Sequence, residues 1–331
     1  RHTRYIGDWS SDVCSSDLSG ASMNYYYYGL WIFSNLIALS QINTFIGFNL
    51  AVCTVFALSV TTLFAFSEII FKKNRNFSFL LVFMVLLMGN MQPLMQIKNK
   101  FINSNYTEFF KIDFWSPSRV FPAESIGYEI SEFPFFSFIF SDLHPHMISI
   151  PIFILFINFL VVIFNNKVKS LNLTKFLISS GLIISLLFGI LWATNTWTVP
   201  VLFILLNIFT FLFFKQFSES PIIKSIIYSS IIIFFSYLLF LPFHINFISP
   251  VSSFEISEFS TRFYDFIEIY LIFILILLIF FISSLRKEFI KKLKKDNYKN
   301  SFFSILIAGL FFIILDRKST RLNSSHRCIS Y

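Results

Sequence analysis

Long apolar runs, with the charged residues gathered in the gaps between them, constrain this chain more than any other feature. The runs cover residues 23–41, 48–71, 77–96, 147–164, 176–191, 200–214, 222–241, 266–282 and 301–315. That makes about nine segments, each near the roughly 17–25 residues a helix needs to cross a bilayer. A packed soluble core does not explain them. The chain is 56% hydrophobic and 13% charged, against about 45–50% and about 25% in soluble domains. The expectation is an all-α, polytopic integral membrane protein embedded in the lipid bilayer, with about nine transmembrane helices.

The charges suggest an orientation. Lys72, Lys73 and Arg75 follow one run, Lys167, Lys169 and Lys175 another, and Lys215 and Lys224 a third. Residues 286–299 carry seven basic and two acidic side chains. These loops alternate with the loop 97–146, the turn 192–197 and the loop 242–265. Basic loops stay cytoplasmic, so the long loop 97–146 is predicted to be external and the chain to sit in the plasma membrane. The 286–299 cluster reads as a topological anchor or as an acidic-lipid site. Beyond that cluster nothing points to nucleic acid. The same count places residues 25–28 on the cytoplasmic side. That placement holds unless the 25–41 segment does not fully cross, the 77–96 run is re-entrant, or the charge rule fails once. Met88, Gly89, Asn90 and Pro93 would kink or unwind that run.

Residues 128–146, YEISEFPFFSFIFSDLHPH, are where chemistry is expected. Ionisable groups at a membrane boundary need water, a partner or a function. Asp142, His144 and His146 share one face if the segment is extended, although a helix could begin at Pro145. Carboxylate and imidazole ligands suit a divalent metal such as Mg or Mn, and the same groups suit base catalysis. The bland alternative is a cap for the next helix. Glu129 and Glu132 are second-choice acids. Arg119 either pairs with one of these glutamates or clamps a phosphate through its planar fork, beside Trp115.

Two further stretches offer aromatic and neutral polar groups. Tyr26 and Tyr27, in the run 25–28, either anchor a helix end at headgroup level or form a stacking platform for sugar or lipid. Asn195 and Trp197, in the turn 192–197, either bind a sugar or prenyl chain or satisfy helix ends. His244 lies on the same predicted side.

Taken together, residues 24–29, 48–51, 113–120, 132–137, 142–146 and 193–197 resemble, in order, the motifs of the YYY family of uncharacterised bacterial and archaeal membrane proteins. That family is distantly similar to GT-C-type glycosyltransferases that use polyprenyl-phosphate sugars. The resemblance implies a GT-C-like fold and transfer of a sugar from a polyprenyl-phosphate carrier to an external acceptor. In such enzymes acidic residues near the first span support catalysis, in a region that would precede Ser19. The alternative is a non-enzymatic lipid or sugar transporter or a membrane assembly protein. Residues 1–18 and 316–331 are polar and aperiodic, and they resemble translated sequencing-adapter read-through. They are expected to be non-native, leaving 19–315 as one multi-pass membrane domain of a longer chain. The ends hold six of the 26 Lys and Arg and four of the 18 Asp and Glu, so the remainder carries 20 minus 14, or +6. Only Cys53 remains of the cysteines, and one thiol builds no disulfide framework.

Overall fold

The computed structural model describes residues 25–71, 75–102, 111–120, 131–165, 173–247 and 262–292. Among them the helices are α1 (Tyr28–Ser40), α2 (Thr44–Phe71), α3 (Arg75–Val82, continued by a π-turn at Phe83–Leu87), α4 (Gln92–Ile102), α5 (Pro134–Ile139), α6 (Pro145–Asn165), α7 (Leu173–Thr194), α8 (Val199–Phe214), α9 (Pro221–Leu239), α10 (Leu241–Asn246) and α11 (Phe263–Lys292). The chain divides into two compact units, residues 1–73 with 143–252, and residues 74–142 with 253–331.

The protein is all-α and mostly membrane-associated, but the expected nine spans are too many. Five helices among the described residues are long and apolar enough to cross: Thr44–Phe71, Pro145–Phe164, Leu173–Thr194, Thr196–Phe214 and Pro221–Leu239. A bent pair, Arg75–Leu87 with Gln92–Ile102, makes six if counted as one span. The reasons for the shortfall are local. The 23–41 run yields a helix of only 13 residues, about 20 Å at the helical rise, against a hydrocarbon core of about 30 Å. The 77–96 run is broken by an 82° bend. The 266–282 run lies within α11, whose side chains are described only in part. The 301–315 run lies outside the described residues.

In the first unit α2, α6, α7, α8 and α9 supply the spans. Phe156, Leu160, Ile184, Phe188, Leu202 and Leu206 form the centre of its core, each fully buried. With lipid on the outside, hydrophobicity gives little net drive, so close packing and interhelical hydrogen bonds hold such helices together. Asn158 Nδ2 donates to the Thr62 carbonyl (2.8 Å), Tyr228 OH to the Leu177 carbonyl (2.8 Å), and Thr210 and Ser225 share a 2.6 Å hydroxyl contact.

Three contacts fix the course of α1. Gly29 abuts Ile148 and Thr194 so closely that a methyl group there would fall 2.8 and 2.9 Å from theirs. Ile37 meets Gly47 in the same way at 2.6 Å. Asn158 reaches Thr62. At about 1.5 Å per residue, Ile148 lies about 15 Å from Asn158 along α6, Gly47 about 22 Å from Thr62 along α2, and Gly29 about 12 Å from Ile37 along α1. If α2 ran opposite to α6, Gly47 would sit about 37 Å beyond Ile148, out of reach of α1. So α2 runs in the same direction as α6, and α1 stays at the end where both begin. Of the three ways the count could fail, the first holds: α1 does not cross. The charge count that put residues 25–28 opposite His144 is overturned.

One consequence concerns charge. Every described Lys, Arg, Asp and Glu of this unit, namely Glu68, Lys175, Lys215, Glu219 and Lys224, falls in or near the last turn of α2 or around the 173–175 and 215–224 helix ends. The opposite end, where α1, α2 and α6 begin, has none among the described residues.

In the second unit the π-turn closes with Met88 N–H donating to the Phe83 carbonyl (2.8 Å), after which Met88 is extended. Residues 88–91 are unwound, as Gly89 and Pro93 led one to expect. Met91 N–H donates to the Glu268 carbonyl on α11 (3.0 Å), and Phe133 stacks on Phe273 at 5.7 Å.

Candidate functional site

The charge-free end of the first unit collects three stretches far apart in sequence: the tyrosine run, the residues opening α6, and the turn after α7. Pro145 starts α6, which is the helical alternative to the extended segment expected for residues 142–146. His144 therefore stands just before the helix and His146 in its first turn. Tyr25 OH and His144 Nε2 lie 3.2 Å apart, with their rings edge to face, and the two imidazoles are 5.2 Å apart between centroids. Ser149 Oγ donates to the His146 carbonyl (2.7 Å), and Asn195 Nδ2 donates to Ser149 Oγ (3.4 Å). Thr198 Oγ1 donates to the Asn195 carbonyl at 2.7 Å, closing the turn.

The other tyrosines are packed. Tyr26 is 8% exposed and lies 5.2 Å from Phe247. Burial pushes its hydroxyl above the ordinary tyrosine range. Tyr27 faces Phe243 (5.7 Å), and Tyr28 meets Phe240 (5.1 Å) and Trp31 (5.7 Å). These contacts seat the run on the phenylalanines around α10, at the end where α1 begins. His244 is stacked on Tyr237 (4.5 Å, 16°) and edge-on to Trp192 (4.6 Å). Its Nε2 and the Thr194 hydroxyl are buried without a hydrogen-bond partner among the described residues. Burial lowers the His244 pKa. The aromatic partners on α10 were not singled out in the sequence. Their only signal was the phenylalanine spacing at positions 240, 243 and 247.

The second unit holds the charged turn. Asp113 accepts the N–H groups of Trp115 (2.9 Å) and Ser116 (3.3 Å), an Asx turn that sets the short helix Ser116–Ser118. Ser131 N–H donates to the Ser118 carbonyl (2.9 Å) and Asn90 Nδ2 to the Pro117 carbonyl (2.6 Å). On this frame Arg119 Nη1 donates to Glu132 (3.2 Å), to the Ser118 carbonyl (2.9 Å) and to Ser118 Oγ (3.0 Å). The guanidinium carbon lies 4.7 Å over the Trp115 ring. The pairing reading of Arg119 is thus realised through Glu132, while Glu129 lies outside the described residues. Arg119 Nε and Nη2 make no hydrogen bond among the described residues.

Asp142 belongs to the second unit, and His144 and His146 to the first. Its backbone N–H donates to the Ser137 carbonyl at 3.0 Å. Among the described residues no group of three or more His, Cys, Asp or Glu side chains is placed to hold a metal ion.

A bundle of apolar helices with neutral polar links inside and charges confined to its ends defines a polytopic membrane protein. Residues 17–322 match the family of uncharacterized membrane proteins designated DUF2298, and the chain belongs to that family. No curated protein and no solved structure matches it.

Proposed function

We propose that this chain is an integral-membrane transferase that moves a sugar from a polyprenyl-phosphate carrier to an acceptor hydroxyl on the external side of the plasma membrane. The observation that carries the reading is the state of Arg119. Its Nη1 is spent on Glu132 and Ser118, and Trp115 supports its plane. That leaves the Nε and Nη2 edge turned to neither, the fork that fits two phosphate oxygens. In the transfer the acceptor oxygen bonds to the anomeric carbon and the carbon–oxygen bond to phosphate breaks. The electron pair leaves with the phosphate, and the hydroxyl proton passes to a base. Arg119 would stabilise the charge that develops on the phosphate. Asp142, in the same unit as Arg119, is the candidate proton acceptor. The external orientation of loop 97–146 rests on the basic loops facing the cytoplasm. Dependence on Mg or Mn is read from the assay.

The test is transfer from labelled polyprenyl-phosphate sugars to membrane extract by purified protein in lipid, with and without divalent metal. Arg119→Ala should lose about 100-fold, the scale of one preorganised donor to a developing oxyanion. Arg119→Lys keeps the charge without the fork and should recover little. Equal turnover in all three proteins excludes the phosphate role.

A non-enzymatic transporter is the second reading, favoured by one observation. The broken helix at residues 88–91 meets the backbone of Glu268, and unwound helices beside ionisable groups are the usual transport sites. Uptake into vesicles without turnover would favour it.

A further inference from the structure

The bent pair in the second unit leaves α4 with one face explained and one unexplained. Gln92, Gln96 and Lys100, four residues apart, form a polar stripe, and all three are engaged by the 111–116 segment. Gln96 Nε2 donates to the Asp113 carbonyl (2.8 Å) and Ser116 Oγ (2.7 Å), and its Oε1 accepts the Asp113 N–H (2.9 Å). Ser116 Oγ also donates to Gln92 Oε1 (3.3 Å), and Lys100 Nζ donates to the Lys111 carbonyl. On the other side Leu94, Ile97 and Phe101 make an apolar stripe at i, i+3 and i+7. Leu94 and Phe101 are 53% and 63% exposed, and Lys98 is exposed beside them.

The geometry limits what can cover that stripe. The limb Arg75–Leu87 is about 20 Å long, short of the roughly 30 Å hydrocarbon core, and α4 leaves it at 82°. Two limbs at that angle cannot both follow the membrane normal. Arg75–Leu87 has no charged residue after Arg75, whereas α4 has opposed polar and apolar faces, the pattern of a helix lying in the interface. A lysine at the edge of the apolar stripe can lay its stem along hydrocarbon and keep its ammonium at the phosphates.

We propose that α4 is a bilayer-surface helix. Leu94, Ile97 and Phe101 seat among the upper acyl-chain carbons, Lys98 sits at the lipid phosphates, and the polar stripe holds the 111–116 segment above the membrane. Because α2 ends on the side opposite to the one where α6 begins, the chain crosses between them; the Arg75–Leu87 limb with the unwound residues 88–91 then makes that crossing, and α4 lies on the surface it reaches. The occupant is the phospholipid interface.

The experiment uses the full chain with Cys14, Cys53 and Cys328 replaced by alanine, reconstituted in phosphatidylcholine–phosphatidylglycerol vesicles. Nitroxide labels are placed singly through Leu94→Cys, Asn99→Cys and Phe101→Cys, all at exposed positions. Collision rates with oxygen and with a water-soluble nickel chelate report depth. Labels at 94 and 101 should lie at the same shallow depth just below the phosphates, each with a severalfold higher oxygen-to-nickel ratio than the label at 99. A depth that increases steadily from 94 to 101 would mean a crossing limb and overturn the proposal. Labels at 94 and 101 that are reached freely by nickel, or by neither reagent, would overturn it equally, by showing water or protein over the stripe.

Discussion

The charge-free end of the first unit and the Arg119 turn of the second solve the same problem with different chemistry. Each has to hold polar groups in a fixed arrangement at the end of a membrane helix. The first does so with rings: Tyr26, Tyr27 and Tyr28 find Phe247, Phe243 and Phe240, and a neutral hydrogen bond from Asn195 to Ser149 crosses beside them. The second does so with loops, an Asx turn and a half-exposed ion pair. Ring burial is worth several kcal/mol per side chain, whereas an exposed or half-exposed pair is worth about 0.2–1 kcal/mol. The first end should therefore carry stability, and the second should be free to spend its charge on a ligand.

Truncation at Tyr26 gives the largest expected effect. Tyr26→Ala removes a buried ring and should cost about 3–5 kcal/mol by analogy with buried aromatic truncations. Thermal unfolding in lipid nanodiscs would show it as a lowered midpoint, and an unchanged midpoint would undo the contrast between the two ends. Gly29→Val comes next. A branched side chain there meets Ile148 and Thr194 at under 3 Å, and the overpacking should cost about 1–3 kcal/mol. Because α1 hangs on this contact, the same variant should increase protease cleavage near residues 41–43.

What could be read from the sequence follows the same division. The five spans fall within a few residues of the apolar runs, because a run of that length has no soluble alternative. The break at residues 88–91 was legible in Gly89 and Pro93. The fate of α1 was not, since a 19-residue run from 23 to 41 looks like a span whether it crosses or lies flat. Only the contacts of Gly29, Gly47 and Asn158 decide it. The partners of the tyrosines were hidden for a related reason: they lie more than 200 residues away on α10, and periodicity reports faces, not partners. Arg119 could be read only as one of two options. The pairing with Glu132 depends on the Ser118 and Ser131 backbone bond, which no local pattern announces.

Acid should separate the two ends by a smaller margin. His244 is held below its ordinary pKa by burial, so the folded form binds its proton less readily than the unfolded chain does. In the window between its lowered pKa and about 6.5 the unfolded state carries more protons, and stability falls as pH falls through that range. The unfolding midpoint should drop on going from about pH 7.5 into that window, more steeply in the parent protein than in His244→Asn, where this proton is absent. Parallel curves would mean that the Trp192 and Tyr237 rings do not shield the imidazole.

Arg119 gives the smallest expected effect on stability. Arg119→Ala removes a half-exposed pair and a cation–π contact, each worth about 1 kcal/mol or less at such exposure. The turn itself should persist, because Asp113, Asn90 and Ser131 hold its backbone without the guanidinium. A midpoint within about 1 kcal/mol of the parent's is therefore expected in the same nanodiscs. Glu132→Gln should behave alike, since the amide oxygen can still accept from Nη1. If Arg119→Ala instead destabilises as much as Tyr26→Ala, the guanidinium is a structural pin. Its Nε and Nη2 edge would then be occupied from within the protein, and the case for a phosphate ligand at this turn would fall with it.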